Sequence, residues 1–128
     1  MVELRELISG EVETVSPNST IADAASAMQE LGVGSLAVLD DDEFSGIFTE
    51  RDVLQVIAAG GDPSVEIVAA WMTLYPDSFS PDMEVREAAD WMLAAGYRHL
   101  PVVDEGARLI GMASIKDILW ALTGERVK

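Results

Sequence analysis

Apolar side chains recur along the chain at two spacings. Ile21, Ala24, Ala25, Met28 and Leu31 follow the three-and-four rhythm of a helix with one buried face. Thr20 precedes them as an N-cap, with Asp23 as its capping-box partner, and Gly32 follows as a left-handed stop. Ser35 to Leu39 then reads as a strand, Asp40-Asp41-Asp42-Glu43 as a hairpin turn, and Phe44 to Phe48 as the returning strand. Thr49 caps a second helix whose apolar face includes Val53, Leu54 and Ile57. Upstream, residues 2–9 read as a short helix or irregular lead-in, with Leu4, Leu7 and Ile8 on one face. Glu13-Thr14-Val15 is a short extended stretch, ended by the turn Ser16-Pro17-Asn18-Ser19.

The same order then recurs. At an offset of 64, Ser16-Pro17 matches Ser80-Pro81, Ala24-Ala25 matches Ala88-Ala89, and Met28 matches Met92. Gly32 matches Gly96, Val38 matches Val102, and Asp40 matches Asp104; even Ile8-Ser9 has a counterpart in Met72-Thr73. One residue inserted in the second hairpin turn moves the offset to 65, so that Gly46-Ile47-Phe48-Thr49-Glu50-Arg51-Asp52 returns as Gly111-Met112-Ala113-Ser114-Ile115-Lys116-Asp117. The second copy predicts a short strand at Ser78-Phe79, a helix with Val85, Ala88, Ala89, Met92 and Ala95 inward, and strands at His99–Val103 and Leu109–Ala113. A final helix follows with Ile118, Leu119 and Leu122 on its apolar face. Between the copies, Gly60-Gly61-Asp62-Pro63 ends one helix. Ser64 caps a linker helix running towards Met72, and Thr73 to Asp77 is irregular. Gly124 to Lys128 reads as a frayed tail.

The fold class expected is therefore mixed α/β. There are two repeats, each a short strand-helix-strand-strand-helix unit, dividing at 1–62 and 63–128. The strand-helix-strand step favours parallel pairing through a crossover, and the acidic turn favours an antiparallel hairpin beside it. About sixty residues are marginal alone, so the two repeats are expected to share one compact module.

Composition narrows the function classes. Twenty-three acids against eight bases give a formal charge of -15, with lysine only at 116 and 128. That balance opposes binding to DNA, RNA or an anionic membrane. No cysteine is present, which excludes disulfides, thiolate nucleophiles and cysteine metal sites. The start lacks a basic, then long apolar, secretory segment, and no apolar run reaches membrane-spanning length, so the expected location is the cytoplasm. One histidine, His99, offers no second histidine for a metal site. Neither Thr49 nor Ser114 has an evident general base, so catalysis is not expected. The Asp40–Glu43 run reads as a solvated turn.

The repeated motif has two physical readings. A hydroxyl residue at a helix start followed three residues later by Asp is a capping box, and Thr49/Asp52 and Ser114/Asp117 both fit it. The same geometry suits a ligand: helix-start N–H groups cradle phosphate, and a carboxylate accepts from vicinal ribose hydroxyls. Gly46 and Gly111 permit a tight bend or close backbone approach. From spacing alone the capping reading outweighs the other, because it needs nothing outside the chain.

These two motifs resemble those of a tandem pair of CBS domains, the Bateman module. Thr20-Ile21 with Ala24-Ala25 and Met28, and Gly96-Tyr97-Arg98-His99-Leu100-Pro101-Val102-Val103-Asp104, support the resemblance. It covers nearly the entire chain. It implies pseudo-twofold symmetry and two clefts that take AMP, ADP, ATP or S-adenosylmethionine as regulatory ligands, with no required cofactor. It implies ribose-binding roles for Asp52 and Asp117 and ribose or phosphate contacts for Thr49 and Ser114. It implies further surroundings from Val15, Ser16, Phe79, Ser80, Gly34, Ser35, Arg98, His99 and Pro101. Arg98 and His99 stand where the first repeat has Gly34 and Ser35, which favours the second repeat for an anionic group. The resemblance implies a homodimer and a separate regulated protein as partners. A ligand-independent dimerisation or protein-interaction module is the alternative.

Overall fold

The computed structural model describes residues 1–8 and 11–124. Ser9 of the Ile8-Ser9 match, and the tail residues after Gly124, lie outside the described residues. The chain forms two compact units, but they do not divide at 62/63. The first unit is Glu13–Pro76, and the second combines Met1–Val12 with Asp77–Lys128. The connector thus belongs to the repeat before it, and the N-terminal lead-in to the repeat farthest from it in sequence.

In the first unit, β1 (Thr14–Val15), β2 (Ser35–Asp40), β3 (Glu43–Thr49) and β4 (Thr73–Leu74) form one sheet in that order. β1 runs parallel to β2, across the crossover helix α1 (Ile21–Leu31); β2–β3 and β3–β4 are antiparallel. The β2–β3 turn is two residues long, and Asp41 and Asp42 both have positive φ (50° and 66°). A two-residue hairpin needs that conformation, and aspartate tolerates it better than most side chains. Ile21, Ala24 and Met28 of α1 are buried with Leu36, Val38 and Phe48, as the periodicity predicts, but Leu31 at the end of the same stripe is exposed; Gly32 is left-handed (φ 69°). Thr20 accepts from the Asp23 N–H at 3.1 Å.

The helix α2 (Glu50–Ala58) differs from expectation. It buries Val56, with Val53 packed beside it, while Leu54 and Ile57 are 66% and 55% exposed. The linker helix also differs. Ser64 does not cap it: its N–H and hydroxyl both donate to the Asp62 carboxylate, at 2.9 and 2.7 Å. The Val65 and Glu66 N–H groups close a turn on the Asp62 carbonyl, Ile67 is extended and bridges Thr20, and Val68–Ala70 coils as a 3₁₀ turn. Pairing with the turn before α1 satisfies that backbone better than a free helix would, and it puts Val68 fully into the core. Thr73 and Leu74, expected to be irregular, pair with Ile47 and Gly46.

The second unit repeats the plan. α3 (Val85–Ala95) buries Val85, Ala88 and Met92 and ends at left-handed Gly96. β5 (His99–Val103) and β6 (Leu109–Ser114) form a hairpin, and α4 (Ile115–Thr123) follows. Ile118 is buried, but Leu119 and Leu122, expected inside, are exposed. The short strand expected at Ser78-Phe79 is reduced to one bridge, Phe79 to Val102. The reason lies in the partner strand. In the first unit the Ala37 N–H donates to the Glu13 carbonyl at 2.9 Å; the matching residue here is Pro101, which has no N–H. Tyr97 instead donates its hydroxyl to the Asp77 carboxylate, a side-chain tie where the backbone tie is missing.

The lead-in is a 3₁₀ turn, Leu4–Glu6, with Leu4 fully buried and Leu7 and Ile8 packed against the same core. Both motif glycines are explained by close neighbours. A Cβ on Gly46 would lie 2.6 Å from the Thr73 carbonyl oxygen, and one on Gly111 would lie 2.5 Å from Ile8 Cβ. The prediction is that Gly46→Ala costs about 1–3 kcal/mol, as overpacking against backbone does. Gly106→Ala, whose nearest neighbour would be 3.5 Å away, should cost clearly less. Urea unfolding of the two variants checks the order.

Candidate functional site

Each unit ends its hairpin in the same junction. Thr49 closes β3 and caps α2; Ser114 closes β6 and caps α4. The Thr49 N–H and hydroxyl donate to Asp52 Oδ2 at 2.8 and 3.2 Å, and the Asp52 N–H returns to Thr49 Oγ1 at 3.4 Å. The Ser114 N–H and hydroxyl donate to Asp117 Oδ2 at 2.9 and 3.1 Å, and the Asp117 N–H returns to Ser114 Oγ at 3.3 Å. Both capping boxes are therefore formed. Among the described residues, neither Asp52 Oδ1 nor Asp117 Oδ1 has a protein donor, so one oxygen of each carboxylate is left to accept from elsewhere.

The strand before each junction lies alongside it. The Glu50 N–H donates to the Gly34 carbonyl at 3.1 Å, and the Ile115 N–H to the Arg98 carbonyl at 2.9 Å. Ser35 is paired with Thr49, and His99 with Ser114. Gly34, Ser35, Thr49 and Asp52 thus form one cluster, and Arg98, His99, Ser114 and Asp117 another. Two of the four helix-start N–H groups are already engaged in each, which leaves fewer for a phosphate than a bare helix start offers. The Arg98 guanidinium is exposed and has no ion pair among the described residues.

Other expected residues fall elsewhere. Val15 pairs with Val38, three residues along β2 from Ser35, so it and Ser16 lie about 10 Å or more from the Thr49 junction along the strand. Phe79 is a core residue, 5% exposed and edge-on to the rings of Trp91 and Tyr97. The Ser16 and Ser80 hydroxyls accept from Asn18 and Asp82 N–H in local turns, at 3.2 and 3.1 Å. Pro101 is buried in mid-strand against Met112. Tyr97 and Asp77, whose tie stands next to Arg98 in the chain, lie outside the expected site residues. Their separation of twenty residues gives no local pattern by which to find them. Among the described residues no group of three or more His, Cys, Asp or Glu could hold a metal ion. No described helix is long and apolar enough to cross a membrane.

The two carboxylates differ in burial. Asp52 is 8% exposed, and burial pushes its carboxyl above the ordinary aspartate value. The Thr49 N–H, the Thr49 hydroxyl and the Arg51 charge oppose that shift without cancelling it. A raised folded-state pKa means that the folded chain binds the proton more readily than the unfolded one. The stabilisation is full below the unfolded value, about 4, and is lost as pH rises through the folded value. Compared with Asp52→Asn, which does not titrate, the parent chain should therefore gain stability as pH falls from 7 through that window. Urea unfolding of both at several pH values measures it; a difference independent of pH contradicts the burial argument.

The family model described as CBS domain matches residues 4–59 and 67–124. A 17.7 kDa protein of Acidianus ambivalens is 38% identical over 121 residues, covering 94% of this chain and 73% of the relative. Protein MK0525 of Methanopyrus kandleri is 38% identical over 120 residues, covering 92% of this chain and 61% of the relative. Among solved structures, a protein with CBS domains from Burkholderia ambifaria superposes with a TM-score of 0.92 at 29% identity, covering 99% of this chain and 98% of that one. More distant structures share the fold. CBSX2 in complex with AMP has a TM-score of 0.80 at 23% identity, and the CBS domain pair of MJ0100 with 5-methylthioadenosine and S-adenosyl-L-methionine has 0.88 at 22%. With the family's model matched twice, once over each repeat of the fold, this chain belongs to the CBS-domain family as a tandem pair.

Proposed function

We propose that this CBS pair is a regulatory module that senses an adenine-containing ligand such as AMP, ADP, ATP or S-adenosylmethionine. The observation that carries the reading is the open Oδ1 of Asp52 and Asp117, each on a carboxylate held in place by its own helix cap. A fixed carboxylate with a vacant acceptor suits the vicinal hydroxyls of a ribose. The AMP complex of CBSX2 and the S-adenosylmethionine complex of MJ0100 support the ligand class. Binding rather than catalysis is assigned because the Thr49 and Ser114 hydroxyls donate to carboxylates that already serve as caps. The second unit is the better site for an anion, since Arg98 flanks its junction where the first unit has Gly34. The regulated target is a separate protein, and the working location is the cytoplasm.

A second reading, self-association as a homodimer, rests on a different observation. Leu54 and Ile57 on α2 and Leu119 and Leu122 on α4 present apolar side chains outward at helical spacing. Both readings can hold together, because the junctions and these exposed side chains are different residues.

Calorimetry with AMP and adenosine tests the ligand reading. Asp117→Ala should weaken AMP by about 1.5–3 kcal/mol, roughly ten- to a hundredfold, through lost hydrogen bonds to a charged acceptor. Arg98→Ala should weaken AMP and leave adenosine nearly unchanged, because only AMP carries the anion. AMP affinity unchanged by both, with Asp52→Ala abolishing it, would move the site to the first unit. No saturable binding of any adenine ligand to the folded chain would remove the reading.

A further inference from the structure

The N-terminal residues do for the second unit what the connector does for the first, bond by bond. Val68 N–H donates to the Ser19 carbonyl and Leu4 N–H to the Met83 carbonyl, both at 2.9 Å. Ala69 donates to Pro17 at 2.8 Å and Arg5 to Pro81 at 3.0 Å. In return, Ile21 donates to Glu66 at 3.0 Å and Val85 to Val2 at 2.9 Å. The bridges Thr20 to Ile67 and Glu84 to Glu3 match as well. Every pair is related by the same offset of 64 residues. Val68 and Leu4 are each fully buried in their unit's core, and Met72 and Ile8 lie against the two motif glycines.

The covalent connections differ. The connector continues directly from α2 of the unit it completes. Val2–Ile8 reaches the second unit only by way of the first, so within the second unit it is held by noncovalent contacts alone. Those contacts are a backbone pairing, the fully buried Leu4 with Leu7 and Ile8 packed beside it, and an ion pair from Arg5 to Asp82. Such a groove reads its occupant by backbone alignment and apolar pockets, as peptide-binding grooves do.

We propose that the second unit is a segment-binding module whose groove is filled in cis by the chain's own residues Val2–Ile8, with Leu4 as the anchor. The segment is a required part of the second unit and dispensable to the first. Its docking also secures β6 at Gly111, three residues before Ser114, so the state of the N-terminus is transmitted to the second junction. The inference does not depend on which ligand, if any, that junction takes.

Hydrogen exchange on the full chain tests it. Leu4→Asp should speed exchange of the Leu100, Val102 and Ala113 amides by about a hundredfold or more, as loss of a fully buried leucine does, and leave Leu36, Val38 and Phe48 nearly unchanged. A synthetic Met1–Ile8 peptide in excess should restore slow exchange in the second unit, and the same peptide carrying Leu4→Asp should not. Should Leu4→Asp unfold the entire chain, Leu4→Ala gives the same ranking at smaller amplitude, and Val68→Ala gives the reverse ranking. Uniform acceleration of both units by Leu4→Ala, no acceleration by either Leu4 variant, or failure of the parent peptide to rescue overturns the proposal.

Discussion

A repeat of about sixty residues with two helices has little interior, and each unit closes its core with a segment from outside the strand-helix-strand-strand-helix plan. Val68 and Leu4 are those closing residues, both fully buried. The backbone that carries them is laid along the turn before α1 or α3, where it meets N–H and carbonyl groups that the helix start leaves without partners. The rest follows from that placement. The segment continues as β4 in the first unit and as Ile8 in the second, and in both it covers the strand that leads into the capped junction. Glycine at 46 and 111 is the condition for that coverage, since any Cβ would collide with the covering chain. The repeated glycine is thus accounted for by packing, before any ligand is considered.

The junctions show how one set of side chains answers to two demands. The Thr49–Asp52 and Ser114–Asp117 boxes use both capacities of each hydroxyl and one oxygen of each carboxylate. Helix capping therefore fixes the carboxylate and leaves Oδ1 available, and a ligand can use that oxygen without dismantling the cap. This is cheaper than a site whose binding groups must be reoriented, because ordering a side chain has an entropic cost that folding has already met here. Burial of Asp52 works against its charge, so a donor arriving at Oδ1 would relieve part of that penalty.

The correspondence between the two repeats is broken at particular residues. Pro101 stands where Ala37 donates to Glu13, and the second unit loses a rung between its first extended segment and its central strand. Tyr97 to Asp77 replaces the rung with a side-chain hydrogen bond, at the point where the chain enters the second unit. Phe79, edge-on to both Trp91 and Tyr97, anchors the same segment in the core. Val33, the counterpart of Tyr97, could make no such bond. The two junctions are equal in their caps and unequal in their surroundings, with Arg98 the most consequential difference.

The sequence by itself determined the repeat, the helices, the hairpins and both capping boxes. These depend on side chains within about four residues of one another or on strict periodicity, so local physics is sufficient. It also marked Asp52 and Asp117, because cap and candidate ligand contact share one spacing. Only the tertiary structure decided which face of α2 and α4 turns inward, since Leu54, Ile57, Leu119 and Leu122 satisfy helical periodicity as well as Val56 and Ile118 do. It decided that residues 63–72 pair with a distant turn instead of forming one continuous helix, because Ile67 and Val68 gain partners and burial there that a free helix cannot supply. It decided, finally, that Leu4 belongs to the second unit. No local signal points across some eighty residues of chain, and the assignment rests on the one groove whose backbone groups and apolar pocket that segment fills.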